Sequence, residues 1–187
     1  MRIIAGTLKG RRLAAPAWPG LRPTSDKLRE TLFNILRTRV EGARVLDGYA
    51  GSGAIGIEAI SRGARDVTFV ESDGRAAALV EENLRRCGVT NGYAIIRAEF
   101  ADAARSTLAG ALFDLIVLDP PYDEAPVPAL EAAAGIIAPD GMVILEHAAR
   151  RPAADRVAGA NLRRRRSVVS GDSALAFYTR DSAGPGT

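Results

Sequence analysis

Residues 44–63 read RVLDGYAGSGAIGIEAISRG. The run Arg44–Asp47 is mostly apolar and ends in a carboxylate, which is typical of a buried strand. Gly51, Gly53 and Gly56 follow, and Ile57–Arg62 then has helical spacing. Glycine allows a sharp turn and close approach of the backbone, and the helix that starts there presents free N–H groups. The stretch therefore predicts a cradle for a nucleotide-like ligand.

A second carboxylate strengthens this prediction. Glu71 ends the next predicted strand, Val67–Glu71, and lies 20 residues after Gly51. A carboxylate at that place accepts hydrogen bonds from ribose hydroxyls. The ligand is therefore expected to contain adenosine or a similar group, although the turn alone does not distinguish a pyrophosphate from an amino-acid tail.

Composition indicates one globular domain with at most a small extension, because 47% of the 187 residues are apolar. The sequence shows neither a signal peptide nor an apolar run of about 18 residues, which predicts a cytosolic protein. One cysteine, Cys87, excludes an internal disulfide, and one histidine, His147, argues against a zinc site. We interpret Cys87 as a buried inert thiol and His147 as structural.

The net charge of +3 is unevenly distributed. Residues 1–39 contain nine Lys or Arg and two acidic residues, so this segment carries +7 and the remainder −4. A basic N-terminal segment favours a polyanionic partner such as nucleic acid. The second basic cluster, Arg163–Arg166, fits either such a partner or a solvated, protected strand.

The N-terminal segment combines a predicted hairpin with a helix. Residues 2–14 are interpreted as a hairpin that turns at Gly10, and residues 15–23 as a Pro/Gly-rich connector. Thr24, Ser25 or Asp26 can then cap a helix. The apolar positions of this helix recur at helical spacing, at Leu28, Leu32, Ile35 and Leu36.

From residue 42 onward, strands alternate with helices, the clearest of which is Gly74–Cys87 with Gly88 as its stop. The predicted strands are Arg44–Asp47, Val67–Glu71, Ala94–Arg97, Asp114–Asp119 and Met142–Glu146. This alternation predicts an α/β fold with a doubly wound, Rossmann-like and mostly parallel sheet. Residues 166–169 and 174–178 predict an antiparallel hairpin at one edge. We divide the chain into a basic extension (1–40), a main domain (41–180) and a flexible tail (181–187).

The sequence DPPY at 119–122 is the candidate reactive site. Ligands bind at the carboxyl ends of the strands in such sheets, where Asp47, Glu71 and Asp119 are expected to meet. Two prolines form a stiff loop without backbone donors, so the Asp119 carboxylate and the Pro120 carbonyl present two acceptors to an exocyclic amine. Tyr122 offers a flat face for stacking a base.

These motifs together resemble class I S-adenosylmethionine-dependent methyltransferases that modify exocyclic amines. Nearly the whole chain is similar to the small bacterial 16S ribosomal RNA guanine-N2 methyltransferases. The resemblance is carried by RIIAG (2–6), GRR (10–12), RPTSDKLRETLFN (22–34), residues 47–56, FVE (69–71) and DPPY (119–122). The 22–34 block is the most specific of these, whereas the glycine turn and DPPY also occur in adenine-N6 enzymes.

The resemblance implies a role for each matching residue. S-adenosylmethionine (SAM) would be bound by Asp47, Ala50, Gly51, Ser52, Gly53, Glu71, Glu99 and Phe100, with Thr24 and Asp26 covering it. Asp119, Pro120, Pro121 and Tyr122 would form the catalytic loop. Two positions depart from the family pattern: Glu99 stands where aspartate is usual, and Gly48 replaces a bulkier residue, which predicts a looser turn.

The basic residues Arg2, Lys9, Arg11, Arg12 and Arg22 are expected to contact RNA phosphates. The expected substrate is 16S rRNA, in the small ribosomal subunit or an assembly intermediate. The expected enzyme is a cytoplasmic monomer without metal or membrane contact.

Three alternative functions remain open at this point. They are an adenine-N6 methyltransferase acting on DNA or RNA, a NAD-binding oxidoreductase, and a non-catalytic RNA-binding module.

Overall fold

The computed structural model describes residues 1–18, 25–121 and 124–181. The helices in these ranges are α1 (Asp26–Leu36), α2 (Ala54–Ser61), α3 (Gly74–Arg86), α4 (Phe100–Arg105) and α5 (Val127–Ile136). The strands are β1 (Arg44–Asp47), β2 (Asp66–Val70), β3 (Tyr93–Ile96), β4 (Phe113–Leu118), β5 (Ile137–Ala148), β6 (Arg156–Val157), β7 (Leu162–Ser170) and β8 (Ser173–Arg180).

These strands form a single sheet in the order β3-β2-β1-β4-β5-β8-β7-β6. Strands β1 to β5 are parallel, whereas β8, β7 and β6 continue the sheet with antiparallel pairing. The predicted doubly wound sheet and its C-terminal hairpin are therefore confirmed. The strand order reverses between β1 and β4, which is where open α/β sheets bind their ligands.

The fifth strand is longer than the predicted Met142–Glu146. Its first residue, Ile137, pairs with Phe113 of β4, and its last, Ala148, pairs with Ser173 of β8. Neither pairing can be recognised from the apolar residues of the strand itself, because both partners are distant in sequence. The extension matters for the site, since it adds His147 and Ala148 after Glu146, which therefore lies within the strand and not at its end.

The N-terminal hairpin contains one antiparallel bridge, between Arg2 and Arg12. Its two arms are also joined by backbone bonds from Ile3 N–H to Arg11 O at 3.0 Å and from Gly10 N–H to Ile3 O at 2.9 Å. Beyond Ile3 the backbone donors turn to α2, where Ile4 and Ala5 donate their N–H groups to the buried carboxylate of Glu58 at 2.7 and 3.0 Å. The segment is therefore a short hairpin that is attached to α2.

The core has two layers, one on each side of the sheet. Helices α1, α2 and α3 and the N-terminal segment cover one side, called here the α1–α3 face, through residues such as Leu32 and Ile57. Helices α4 and α5 cover the other, the α4–α5 face. Because side chains alternate along a strand, Val45 belongs to the α1–α3 face and Leu46 to the α4–α5 face.

The cap of α1 and the environment of Cys87 agree with the sequence analysis. Ser25 caps the helix by accepting the N–H of Leu28 at 3.1 Å. Cys87 is buried at the end of α3, and burial raises the pKa of its thiol. None of the helices in the described ranges has the length and apolar character needed to cross a bilayer.

Candidate functional site

Acidic side chains occupy the carboxyl ends of four parallel strands. Asp47 ends β1, Glu71 follows β2, Asp119 follows β4, and Glu146 lies near the end of β5. Since these strands are neighbours in the sheet and run in the same direction, the four carboxylates meet along one edge. The structure thus brings Asp47, Glu71 and Asp119 to the same edge, as the sequence predicts.

The glycine turn between β1 and α2 is held by its own backbone and by the neighbouring strand. Gly51 and Gly53 adopt φ values of 55° and 77°, a left-handed conformation that disfavours side chains. Ala50 donates its N–H to Val70 O at 3.0 Å, which fixes the turn to the end of β2. A Cβ on Gly53 would also come within 3.1 Å of Val80. The turn is therefore a defined, closely packed cradle.

Glu71 links this turn to the start of α3. One carboxylate oxygen accepts the N–H of Gly51 at 2.8 Å, and the other accepts the N–H of Asp73 at 2.9 Å. Each oxygen keeps a second lone pair that can accept a hydroxyl. The two backbone bonds therefore hold the carboxylate in position before a ligand arrives.

Asp47 is the electrostatically unusual member of the set. Its side chain is buried, and its Oδ2 accepts the N–H of Gly56 at 3.0 Å. Burial is the main cause that raises the pKa of Asp47 to about 7; the negative charges of Asp119 and Glu71 also raise it, and the Gly56 bond opposes them. Asp47 pairs with Val117 of β4, two residues before Asp119, so the two carboxylates lie at the same end of adjacent strands.

The DPP loop begins where β4 ends. Asp119 is half-buried and has interaction partners within the protein, Pro120 is buried, and Pro121 is exposed. The Pro121 carbonyl accepts the N–H of Glu124 at 3.0 Å. Tyr122 lies outside the described residues, as do Thr24 and Arg22.

Comparisons with known proteins show which family the chain resembles. A family model described as conserved hypothetical protein 95 matches residues 1–179. Ribosomal RNA small subunit methyltransferase D of Escherichia coli is 33% identical, over 98% of this chain and 92% of that relative. The protein of the same name from Haemophilus influenzae is 41% identical over 65% of this chain and 64% of its own length.

The chain belongs to this methyltransferase D family. A solved Escherichia coli structure described as a putative methyltransferase has a TM-score of 0.84 at 30% identity and covers 97% of this chain and 98% of its own. The Rossmann-like fold of class I methyltransferases is thereby confirmed for this member of the family.

The remaining predicted cofactor residues differ in their exposure. Glu99 is exposed at the start of α4, whereas Phe100 is only 2% exposed and packs its ring 5.7 Å from that of Tyr49. Leu118 and Phe100 also fill the space beside Gly48, where an added Cβ would come within 2.7 and 2.9 Å of them.

Ala50 and Ser52 are buried in the turn. The Ser52 hydroxyl lies 3.8 Å from Met1 Sδ, and the Ser52 carbonyl accepts an N–H of the Asn83 amide at 2.9 Å. Both contacts attach the turn to neighbouring elements, so the structure gives Ser52 a positioning part in the turn that the sequence did not suggest.

Asp26 is joined to the turn through Arg29, whose side chain is fully buried. The Arg29 guanidinium donates to Asp26 at 2.7 Å, to Arg2 O at 2.8 Å and to Ala54 O at 3.4 Å, and its Nε has no partner. Ala54 is the first residue of α2. This buried guanidinium therefore ties α1 and the N-terminal segment to the end of the glycine turn.

The basic N-terminal residues Arg2, Lys9, Arg11 and Arg12 are all exposed. Besides the Glu58 contacts, the segment is attached to α3 by Asn83, which accepts the N–H of Ala14 at 2.7 Å and donates to Ala14 O at 3.2 Å. Four cationic side chains are thus displayed on a segment that is anchored to the helices carrying the glycine turn.

The C-terminal arginine cluster lies on β7, where Arg163, Arg165 and Arg166 are exposed. Arg164 pairs with Asp155, and Arg165 donates to the Thr179 hydroxyl at 2.9 Å. These contacts favour the solvated-strand interpretation for two of the four arginines.

His147 has a structural environment, as expected. Its Nδ1 lies 3.0 Å from Ala148 O and 2.9 Å from Arg151 O, which favours the tautomer protonated at Nδ1. Among the residues that the structure describes, no group of three or more His, Cys, Asp or Glu side chains could hold a metal ion.

Sequence reasoning missed three residues that shape the site: Tyr49, Asn83 and Glu146. The Tyr49 ring is half-buried beside the turn, and burial together with the charges of Glu124 and Glu99 raises its pKa to about 12. An aromatic residue inside a glycine turn was the available signal. Asn83 offered no such signal in the sequence, because a single asparagine within a helix has no distinctive spacing relative to its neighbours.

Proposed function

We propose that this protein transfers a methyl group from SAM to the exocyclic N2 amine of a guanine in 16S rRNA. The observation that carries the proposal is the register of β1 and β4, which pairs Asp47 with Val117 and so brings Asp119 to the same carboxyl edge of the sheet, next to the glycine turn. The names of the methyltransferase D relatives support an rRNA substrate. The guanine-N2 target is supported by the family resemblance and by the acceptor chemistry of the DPP loop.

The residues present fit SAM. Asp47 is a buried carboxylate whose pKa is raised by burial and by two neighbouring negative charges, so a cation beside it would relieve an unfavourable environment. The amino-acid end of SAM carries an ammonium group, which suits Asp47. The fixed carboxylate of Glu71 suits the ribose hydroxyls, and the exposed Glu99 suits the adenine edge. Bound there, SAM supplies an electrophilic methyl group on a sulfonium.

The DPP loop would orient the amine. A guanine N2 lone pair is delocalised into the ring, so the nitrogen is a poor nucleophile. The Asp119 carboxylate and the Pro120 carbonyl can accept its two hydrogens, which directs the lone pair and increases electron density on nitrogen. Alignment of this kind contributes up to about 7–11 kcal/mol in favourable systems. The methylated nitrogen is acidic, and Asp119 would accept its proton, so no stronger base is required.

The exposed cations of the N-terminal segment would bind RNA phosphates. Arg2, Lys9, Arg11 and Arg12 are displayed on a segment anchored to α2 and α3, so phosphate contacts there would position the RNA relative to the glycine turn. Affinity should then fall as salt concentration rises. The target base must leave its stack to reach the carboxyl edge. A monomer acting in the cytoplasm on the small subunit, or on an assembly intermediate, completes the proposal.

The test compares labelled methyl transfer to small subunits, naked 16S rRNA and duplex DNA, followed by mass spectrometry of the nucleosides. We expect N2-methylguanosine in RNA. Asp119→Ala should keep SAM binding and lose turnover by at least about a hundredfold. Asp66→Asn, an exposed aspartate at the opposite end of β2, is the control and should retain activity.

Three results would overturn the proposal. Product on DNA alone, or N6-methyladenosine alone, would indicate the adenine-N6 alternative. Binding of NAD without SAM would indicate the oxidoreductase. Full activity of Asp119→Ala would remove the proposed role of the DPP loop.

A further inference from the structure

Glu146 is a buried carboxylate that the proposed reaction does not yet use. It lies near the end of β5 and is 6% exposed. The register pairs Val117 with Ile144 and Leu118 with Leu145, so the next residues, Asp119 and Glu146, stand at the same level of adjacent parallel chains. Adjacent strands are separated by about 4.8 Å. Glu146 is therefore the neighbour of Asp119 along the carboxyl edge.

The two carboxylates also share a side of the sheet. Val117 and Ile144 pack on the α1–α3 face and the following residues, Leu118 and Leu145, on the α4–α5 face. Alternation returns residue 146 of β5 to the α1–α3 face, where its cross-strand partner Leu175 also packs. Asp119 directly follows Leu118, so the same alternation turns it to the α1–α3 face.

Asp47 marks this as the ligand side. It occupies the α1–α3 face by the same alternation from Val45, and its carboxylate bonds to Gly56 of α2. Consecutive strands β1, β4 and β5 thus each direct one carboxylate toward the region that the glycine turn borders. Burying a carboxylate is costly, and such groups are concentrated where they bind a specific partner.

We propose that Glu146 accepts the N1–H of the target guanine and makes the site selective for guanine over adenine. This inference rests on the proposed guanine-N2 transfer. Guanine presents two adjacent donors, N1–H and N2–H2, and two adjacent acceptor groups, Glu146 and Asp119, match them. Adenine presents its amine beside an N1 that carries a lone pair and no hydrogen. That lone pair would face the Glu146 carboxylate, and no hydrogen bond could form between them.

Glu146 has an interaction partner within the protein. A carboxylate has about four acceptor positions, so it can keep that partner and still accept one N–H from a base. The internal contact would hold the carboxylate in place, and the base would use a remaining lone pair. Glu146 is in this view a specificity-determining residue, distinct from Asp119, which orients the reacting amine.

The test uses bases that keep the reacting amine and differ at N1. The methylated nucleotide is first located by mass spectrometry of N2-methylguanosine. Small subunits are then reconstituted from ligated 16S rRNA carrying guanine or 2-aminopurine at that position. 2-Aminopurine has the same N2 amine but a lone pair at N1 and no oxygen at C6. Loss of the C6 oxygen affects the wild type and a Glu146 variant alike, so the change in preference between them reports recognition of N1. The readout is the ratio of kcat/KM for guanine to that for 2-aminopurine.

We expect the wild type to prefer guanine by about 10- to 100-fold. Glu146→Gln should reduce this ratio to within about threefold of unity, because an amide can accept from N1–H or donate to an N1 lone pair. Glu146→Asp keeps the charge but withdraws it by one methylene, so it should slow the guanine reaction and preserve the preference. Glu82→Gln, a half-buried glutamate on α3 that pairs with Arg86 away from the carboxyl edge, should leave the ratio unchanged.

Two outcomes overturn the inference while the proposed function stands. A wild-type ratio near one would show that N1–H is not recognised. An unchanged ratio in Glu146→Gln, with both rates reduced equally, would show that Glu146 is structural. If Glu146→Gln does not fold, the wild-type ratio and Glu146→Asp decide the question. Absence of N2-methylguanosine with the wild type would instead refute the proposed function itself, and this inference with it.

Discussion

Replacing Asp47 with asparagine should stabilise the protein above pH 7 while weakening its binding of SAM. Burial raises the pKa of this carboxyl from 3.8 to about 7. A group with a raised pKa in the folded state contributes stability below its unfolded value, and that contribution is lost as pH rises through the folded value. Ionised Asp47 therefore costs about 4 kcal/mol of folding free energy at pH 8, at about 1.4 kcal/mol per pKa unit.

Asparagine removes this cost and keeps the hydrogen bond, because its amide oxygen can still accept the N–H of Gly56. The stabilisation expected at pH 8 is therefore about 4 kcal/mol, which corresponds to a rise in Tm of about 8–16 °C for a chain of this size. At pH 5 the folded carboxyl is neutral but the unfolded one is already ionised, so the stability difference should shrink to about 1–2 kcal/mol.

Urea unfolding at pH 5 and pH 8 measures the stabilities, and titration calorimetry at pH 8 measures SAM affinity. Loss of the charged partner should weaken SAM binding by about 10- to 100-fold. Asp66→Asn provides the control, because this aspartate is exposed and lies at the opposite edge of the sheet. A variant that is destabilised equally at both pH values would refute the argument, since the cost would then not come from the buried charge.

Three further substitutions test the site and its support. Glu71→Ala should raise the Kd for SAM at least about tenfold in calorimetry, because the proposed ribose acceptor is lost; an unchanged Kd would contradict its assignment. Asn83→Leu should lower the free energy of unfolding by about 3 kcal/mol in urea, since both backbone groups of Ala14 lose their buried partner, and a loss below about 1 kcal/mol would argue against this anchor. Tyr178→Phe removes the hydrogen bond to Ala154 O at 2.7 Å and should cost about 1 kcal/mol without slowing methyl transfer. Loss of activity in this last variant would contradict a purely structural place for Tyr178.

Local patterns were sufficient to predict the architecture. The apolar run that ends at Asp47, the glycines that follow it and the helical spacing of residues 57–62 each depend on neighbouring residues alone. Alternation of such units leads to a parallel sheet, because right-handed crossovers leave few other arrangements. The meeting of Asp47, Glu71 and Asp119 at one edge follows from that topology, since parallel strands end on the same side.

Contacts between distant residues decided the rest. Glu58 accepts the backbone N–H groups of Ile4 and Ala5, so the predicted hairpin is attached to α2. Nothing near residue 4 in the sequence indicates a carboxylate 54 positions away. The same holds for Phe100, which the resemblance places at the adenine and the core nevertheless buries.

The sequence by itself determined the strand–turn–helix frame and the carboxylates that end its strands, because these depend on spacing within a few residues. Only the tertiary structure decided the electrostatics and the register: that Asp47 is buried with a raised pKa, and that Glu146 stands level with Asp119. Both depend on which distant chain segments pack together. Burial and cross-strand register are properties of the assembled sheet, and no single segment carries them.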